Sequence, residues 1–152
     1  MNKLSIILPA IFLAGMVFAA GSVYSQDNSP KPKQGVFSQV AQESRSVDGV
    51  KQITYEQFMR IRNSGEPYIL MDARELGNYN MGHIDGAISF YLDSINANTA
   101  AQRLPRLSKV VTYCGSFDCY MSTKAAKKLA DLGYDVLDYK GGYDEWTGKG
   151  NR

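Results

Sequence analysis

The chain has 152 residues, which is enough for one domain built around a single compact core. Hydrophobic residues make up 44% and charged residues 21%, an ordinary balance that excludes a fibrous or wholly disordered protein. The formal net charge is only +2, so we expect no nucleic-acid partner and no electrostatic attraction to an anionic membrane.

The first 25 residues have the order of an export signal. Lys3 supplies a basic start, residues 4–20 are mostly apolar, and small or polar residues follow as far as Ser25. Val23 and Ser25 suit the two cleavage subsites, although a cut after Ala20 is nearly as good. We therefore predict that residues 1–25 are a signal peptide and that the mature protein is periplasmic or secreted.

The alternative for this segment is an uncleaved membrane anchor. The apolar run is slightly short of the ~20 residues that a bilayer-spanning helix needs, and Pro9 interrupts it. Contact with a membrane is expected only if the segment stays attached. Export would place both cysteines in an oxidising compartment, where a disulfide can persist.

Residues 26–49 are polar, contain Pro30, Pro32 and Gly35, and have little apolar periodicity. This composition predicts a linker or a loosely packed arm. Three apolar side chains, those of Val36, Phe37 and Val40, can still dock on the domain. The globular domain is accordingly predicted to span residues 50–152.

From residue 50 onward, short apolar runs alternate with helical patterns. Strands are predicted at residues 50–54, 68–71, 87–90, 110–113 and 136–139. Helices are predicted from residue 55 to the stop at Gly65, at residues 75–81 and 95–107, from about Ser122 to Gly133, and around Trp146. This alternation predicts an α/β fold with a central parallel sheet of about five strands and helices on both faces. The strand at 110–113 is expected to be central.

Cys114 follows that central strand directly, where ligands bind in sheets of this kind. The loop comprises Cys114, Gly115, Ser116, Phe117, Asp118, Cys119, Tyr120 and Met121, and it leads to a helix near Ser122. A thiol in such a loop faces unpaired backbone N–H groups and the positive end of the helix dipole, which favour the thiolate. Gly115 is expected to let the backbone curl around the sulfur. The pattern indicates a nucleophilic cysteine but no particular reaction.

Two segments in this order resemble the two signatures of the rhodanese family. The first is Asp72-Ala73-Arg74-Glu75, with Tyr79 and residues 82–87. The second begins at residues 110–114 and continues through Ser122, Ala125, Ala126, Leu129, residues 133–134, Val136, residues 141–142 and Trp146. Together they cover most of the chain from residue 50 to residue 146.

The resemblance implies a rhodanese-like fold and a sulfurtransferase. Cys114 would take sulfane sulfur from a small donor such as thiosulfate or a persulfide, and would pass it to a thiol acceptor, which can belong to a partner protein. Asp72 and Arg74 match positions that support the loop through polar contacts. The resemblance implies no metal and no organic cofactor.

The loop departs from the pattern of many single-domain members, in which a shorter loop ends in Arg-Ser. Here Met121 precedes Ser122, the loop is two residues longer, and it contains Cys119. The cation that would hold an anionic donor is missing, unless Lys124 reaches the site from the helix. We therefore expect weak activity with thiosulfate, or a persulfide as the donor. The loop resembles a variant in which a second cysteine accompanies the first.

Cys119 leaves three alternatives open. It can resolve a persulfide or sulfenate on Cys114 by forming a disulfide, it can form a permanent stabilising disulfide, or it can be idle. Thiol-disulfide exchange by both cysteines is thus an alternative function, and a non-catalytic binding module is another. A phosphatase is disfavoured because Met121 cannot neutralise a phosphate dianion.

The remaining candidates have structural interpretations. His83, the single histidine, is interpreted as a hydrogen-bonded turn residue rather than a base. One histidine and two cysteines give no spacing typical of a zinc site. Tyr143 and Trp146 are interpreted as packing residues, although Tyr143 could line the pocket.

Overall fold

The computed structural model describes residues 34–151, so the predicted signal peptide lies outside the described residues. One mixed sheet of six strands forms the centre: β1 (Arg45–Val47), β2 (Val50–Ile53), β3 (Ile69–Asp72), β4 (Ala87–Ser89), β5 (Lys109–Tyr113) and β6 (Asp135–Tyr139). The strand order is β1-β2-β6-β5-β3-β4. Only the β1–β2 pair is antiparallel. The predicted α/β class is confirmed, and β5 is central.

In the described part of the chain, six α-helices accompany the sheet: α1 (Val36–Glu43), α2 (Tyr55–Asn63), α3 (Leu76–Met81), α4 (Ala97–Arg103), α5 (Met121–Asp131) and α6 (Gly142–Gly148). A short 3₁₀ helix, Leu92–Ser94, precedes α4. Local capping explains several boundaries. Thr54 forms a capping box with Gln57 at the start of α2, and Asn96 forms one with Thr99 at the start of α4. No helix within residues 34–151 is long and apolar enough to cross a membrane.

Two hydrophobic clusters cover the two faces of the sheet. Side chains of α1, α2 and α6 pack on Val111 and Tyr113 of β5, and those of α4 and α5 pack on Val110. Successive residues of a strand point to opposite faces, so β5 contributes to both clusters. The two clusters leave the ends of the strands free to carry loops.

The structure corrects the prediction of a linker for residues 34–49, while residues 26–33 lie outside the described residues. Instead of a linker, residues 36–47 form helix α1 and strand β1, and Phe37 and Val40 are buried in the core. The backbone N–H groups of Val36 and Phe37 donate to the carboxylate of Glu66, which serves as a remote N-cap. The ordered fold therefore begins well before residue 50, and the strand β1 increases the sheet from about five strands to six.

Candidate active site

The candidate site lies at the carboxyl ends of the parallel strands β3, β5 and β6. Residues 114–120 connect the end of β5 to the start of α5 and form a segment that we call the Cys loop. Crossovers of parallel sheets bring loops and helix N-termini together at this edge. The predicted site residues of the Cys loop and the Asp72–Arg74 segment therefore meet at one edge of the sheet.

Cys114 and Cys119 are joined by a disulfide, with their Cα atoms 6.2 Å apart. Cys114 has only 2% of its surface exposed, whereas Cys119 is half-buried. The structure thus contains the oxidised form of the loop, which excludes an idle Cys119 among the three alternatives. External reagents reach Cys119 more readily than Cys114.

Helix α6 fixes the start of the Cys loop. The carbonyl oxygens of Cys114 and Gly115 accept hydrogen bonds from the backbone N–H groups of Tyr143 (2.9 Å) and Asp144 (2.8 Å). The glycine at which another segment approaches closely is Gly142, whose φ is +66°. A Cβ atom on Gly142 would lie 2.5 Å from the Cys114 carbonyl oxygen. Around Gly115 the space is sufficient, since the nearest atom to an added Cβ is 3.9 Å away.

The other loop residues differ in exposure. Phe117, Asp118 and Tyr120 face solvent, while Ser122 in the first turn of α5 is buried. The Cys119 N–H donates to the carbonyl of Ser116 at 3.1 Å, which closes a turn inside the loop. The middle of the loop is thus accessible, and its two ends are anchored.

A buried ion pair forms the base of the neighbouring loop. The guanidinium of Arg74 contacts the carboxylate of Asp72 at 2.6 Å and donates to the carbonyl of Gly82 at 2.7 Å. It also lies over the ring of Tyr143, 4.7 Å from the centroid. Burial opposes the charge on Arg74, but the hydrogen bond and charge of Asp72 outweigh it and raise the pKa of Arg74. Asp72 and Arg74 contact the segments around the Cys loop rather than its sulfur atoms.

Tyr113 was not among the residues predicted for the site. Its hydroxyl accepts a hydrogen bond from the backbone N–H of Ile84 at 3.0 Å, and burial raises its pKa far above the ordinary range. A protonated phenol at this position joins the end of β5 to the segment that follows α3. The sequence feature that could have indicated this role is an aromatic residue directly before Cys114.

Lys140 is the cation at the Cys loop. It follows β6 directly, and its Nζ donates to the carbonyl oxygen of Cys119 at 2.6 Å. The same ammonium lies 5.0 Å from the ring centroid of Tyr120 and 5.9 Å from that of Phe117. Lys124, considered from the sequence, is exposed on α5 and has no described contact with either cysteine.

Asp138 is a fully buried carboxylate beneath the start of α5. Its Oδ2 accepts from the hydroxyl of Thr123 at 2.6 Å. Burial raises the pKa of Asp138, and hydrogen bonds from Thr123 and Ser122 and the charge of Lys140 partly offset that rise. The carboxylate anchors the helix that receives the Cys loop.

A pocket of about 650 Å³ opens beside the Cys loop. Its lining includes Phe117 of the Cys loop, Lys140 and Gly141 after β6, and Gln52 and Thr54 at the end of β2. A small sulfur compound or a peptide segment fits in a space of this size.

His83 packs against Tyr79, with ring centroids 3.8 Å apart, and its Nδ1 lies 3.1 Å from the Tyr79 carbonyl oxygen. Within residues 34–151, no group of three or more histidine, cysteine or acidic side chains is arranged to bind a metal ion.

A protein-family comparison matches residues 54–149 to the rhodanese-like domain. The chain belongs to the rhodanese-like domain family. The matched region contains the complete Cys loop. No curated protein matches the chain at a significant level.

Solved structures with rhodanese-like folds are similar to this chain. A protein from Bacillus halodurans is 32% identical, with 66% of this chain and 73% of that chain covered and a TM-score of 0.59. A rhodanese-like domain from Anabaena is 22% identical, with coverages of 66% and 75% and a TM-score of 0.57. A rhodanese-related protein from Thermoplasma volcanium is 22% identical, with coverages of 66% and 94% and a TM-score of 0.54. The last two similarities concern the fold alone.

Proposed function

We propose that this rhodanese-like protein is an exported sulfurtransferase that carries sulfane sulfur on Cys114. In the reduced protein, the Cys114 thiolate attacks the outer sulfur of a donor persulfide, forms a Cys114 persulfide and releases the donor as a thiolate. An acceptor thiolate then attacks the outer sulfur, becomes a persulfide itself and leaves Cys114 as a thiolate. Each step exchanges one S–S bond for another, so no net oxidant is needed.

The position of Cys114 carries this proposal. It follows the central strand β5 and precedes the N-terminus of α5, whose first N–H groups and dipole favour an anionic sulfur. Its own carbonyl is tied to α6, so the main chain at the nucleophile is fixed before a donor arrives. These are the features that a persulfide carrier requires.

Anionic small donors are expected to be poor substrates. Met121 stands where many members have arginine, and the nearby ammonium of Lys140 is bound to the Cys119 carbonyl. The loop would thus stabilise bound, doubly charged thiosulfate only weakly. Binding of a persulfide depends less on a free cation in the loop. We expect faster loading from a persulfide or polysulfide than from thiosulfate.

Thiol-disulfide exchange is the second candidate, and the Cys114–Cys119 disulfide favours it. Here the two cysteines form a disulfide while reducing a partner's disulfide to a dithiol, or while discharging a persulfide on Cys114 as hydrosulfide. A reducing dithiol protein would regenerate the thiols. The greater exposure of Cys119 makes its sulfur the expected point of attack by that partner.

Intact mass measurements distinguish these functions. The reduced mature protein would be treated with a low-molecular-weight persulfide, and separately with an oxidant, alongside the variants Cys114→Ser and Cys119→Ser. Sulfur transfer predicts an adduct of one sulfur that Cys114→Ser abolishes and Cys119→Ser retains. Exchange predicts loss of two hydrogens on oxidation, which requires both cysteines. If neither modification forms, the enzymatic proposals are wrong and a binding module remains.

Export can be tested on the full-length chain expressed in a bacterium with a periplasm. We expect the cell envelope fraction to contain a shortened protein whose N-terminal residue is Gln26, or Gly21 after the alternative cut. An uncleaved chain that sediments with membranes would show instead that residues 1–25 act as an anchor.

A further inference from the structure

Lys140 has an unusual set of contacts for a lysine. Among the salt bridges of residues 34–151, none involves Lys140, and its Nζ donates to the backbone carbonyl of Cys119 at 2.6 Å. A hydrogen bond from a charged donor is stronger than one between neutral groups. The hydrogen bond of this ammonium thus goes to a peptide group that belongs to the second cysteine of the loop.

The aromatic neighbours of Cys119 depend on the same ammonium. Phe117 is 68% exposed and Tyr120 is 70% exposed, so neither side chain is held by the core. Both rings lie within 6 Å of the Lys140 ammonium, at 5.9 and 5.0 Å. Lys140 therefore contacts residues on both sides of Cys119 as well as Cys119 itself.

The backbone around Lys140 is fixed from within the sheet. Its own N–H donates to the carbonyl of Ile53 in β2 at 3.3 Å, and it directly follows the buried strand β6. The Cys loop lacks a comparable anchor at its middle, where the internal contact is the turn between Cys119 and Ser116. Lys140 thus connects Cys119 in the Cys loop to the end of the buried strand β6.

We propose that Lys140 is the positioning residue that keeps Cys119 within reach of Cys114. This role depends on the second candidate function, in which Cys119 discharges a Cys114 persulfide. The Cys119 thiolate attacks the Sγ atom of Cys114, the new Sγ–Sγ bond forms, and the bond to the outer sulfur breaks. The electron pair of that bond leaves with the outer sulfur as hydrosulfide. Lys140 acts through the Cys119 carbonyl and does not touch the reacting atoms.

The role can be measured in a single turnover. Reduced protein in excess is mixed with glutathione persulfide, quenched with an alkylating agent at successive times, and analysed by intact mass. Two steps are then resolved: formation of the Cys114 persulfide, and its conversion to the Cys114–Cys119 disulfide with release of hydrosulfide. Only the second step requires Cys119.

The variants are Lys140→Met, which removes the donor, and Lys140→Arg, which retains a cation. Loss of one charge-assisted hydrogen bond is expected to slow the second step of Lys140→Met about tenfold, and the first step much less. Lys140→Arg should recover most of the rate. Lys127→Gln is the matched control, because Lys127 pairs with Asp131 on α5, and its rates should be those of the unmodified protein.

A second comparison uses the Cys119→Ser background. There the slow residual loss of the persulfide should be the same with and without Lys140→Met, because the group that Lys140 positions is absent. If Cys119→Ser does not slow persulfide loss, the discharge reaction itself is wrong and the role of Lys140 falls with it. If Cys119→Ser slows the loss but Lys140→Met does not, only the role of Lys140 is wrong. Equal slowing of both steps in Lys140→Met, with a lower melting temperature, would also overturn it, because it would indicate a general structural role.

Discussion

The loops that follow β3 and β5 lie beside each other at one edge of the sheet, and they are stabilised by different kinds of interaction. After β3, Arg74 and Asp72 form a buried ion pair that also binds the Gly82 carbonyl. After β5, the Cys loop is closed by one disulfide and by hydrogen bonds to α6 and Lys140. One loop has a permanent polar support, whereas the other has a closure that reduction can remove.

The side chains that support the fold at this edge are therefore not the ones that carry the proposed sulfur chemistry. The Asp72–Arg74 pair keeps the edge of the sheet in place in either redox state, since neither side chain takes part in the disulfide. We therefore expect the Cys114–Cys119 bond to open and close without changing the surrounding strands. We also expect loss of the Asp72–Arg74 pair to lower the free energy of unfolding strongly, and loss of the disulfide in the Cys loop to lower it less.

The largest expected effect is that of Arg74→Ala. Removing one partner of a buried ion pair leaves an uncompensated charge on Asp72, and the free energy of unfolding should fall by about 3–5 kcal/mol. Arg60→Ala is a matched control, because the Arg60–Glu43 pair has the same 2.6 Å N–O distance but its side chains are 47% and 52% exposed. That exposed pair should contribute about 0–1 kcal/mol. Urea denaturation of both variants measures the difference, and equal losses would contradict the comparison.

Gly142→Ala tests the close contact between α6 and the Cys loop. The left-handed backbone and the clash with the Cys114 carbonyl should together cost about 2–4 kcal/mol. Gly148→Ala, in the same helix, has an ordinary φ and open space, and should stabilise the protein by up to about 1 kcal/mol. Melting temperatures that move in opposite directions are expected. A neutral Gly142→Ala would mean that α6 and the loop separate easily.

Opening the Cys loop should have a smaller effect. The disulfide closes a loop with a sequence separation of only five, so its loss should lower the free energy of unfolding by about 2 kcal/mol. Cys119→Ser and the reduced unmodified protein should show the same loss, and added reductant should not affect Cys119→Ser. If the free energies of unfolding of Cys119→Ser and of the reduced unmodified protein differ by more than the experimental error, the Cys119 side chain contributes to stability in another way besides the disulfide.

The smallest effect concerns Asp138 and the pH dependence of stability. Its pKa is raised in the folded protein, so between the ordinary value near 4 and the raised value the folded state keeps a proton that the unfolded state has lost. The contribution of Asp138 to stability therefore decreases as pH rises through that interval and is constant above it. In Asp138→Asn this component should be absent. Denaturation between pH 3 and about 7 would detect the change in slope, and identical slopes would show that Asp138 does not titrate in this way.

The sequence patterns predicted most of the sheet and its helices because the domain alternates short apolar runs with amphipathic segments. Helix α1 was missed because its cap comes from Glu66, about thirty residues away in the chain and invisible to local rules. The β1–β2 hairpin had a local signal that was overlooked. Asp48 and Gly49 both have positive φ, at 50° and 79°, and Asp-Gly is a preferred pair for a tight hairpin turn.

The candidate site could be predicted only in part, because local sequence patterns do not determine long-range contacts. Cys114 and Cys119 could be identified from their position between a strand and a helix, but whether their sulfur atoms meet depends on loop geometry that spacing does not determine. Lys140 could have been anticipated, because it ends a strand parallel to β5 and such ends converge. That Lys140 rather than Lys124 contacts the Cys loop depends on the directions of the two side chains, which only the folded structure shows.

Helix α6 has a practical consequence for experiments. Its first turn binds the carbonyls of Cys114 and Gly115, and its middle carries Trp146, the single tryptophan of the sequence. The indole lies 6.0 Å from the ring of Phe58 and beneath the guanidinium of Arg62, at 5.0 Å. Its fluorescence emission therefore comes from one known place, one helical turn from Tyr143, whose N–H binds the Cys loop. We expect this emission to report unfolding, and separation of α6 from the Cys loop, without an added dye.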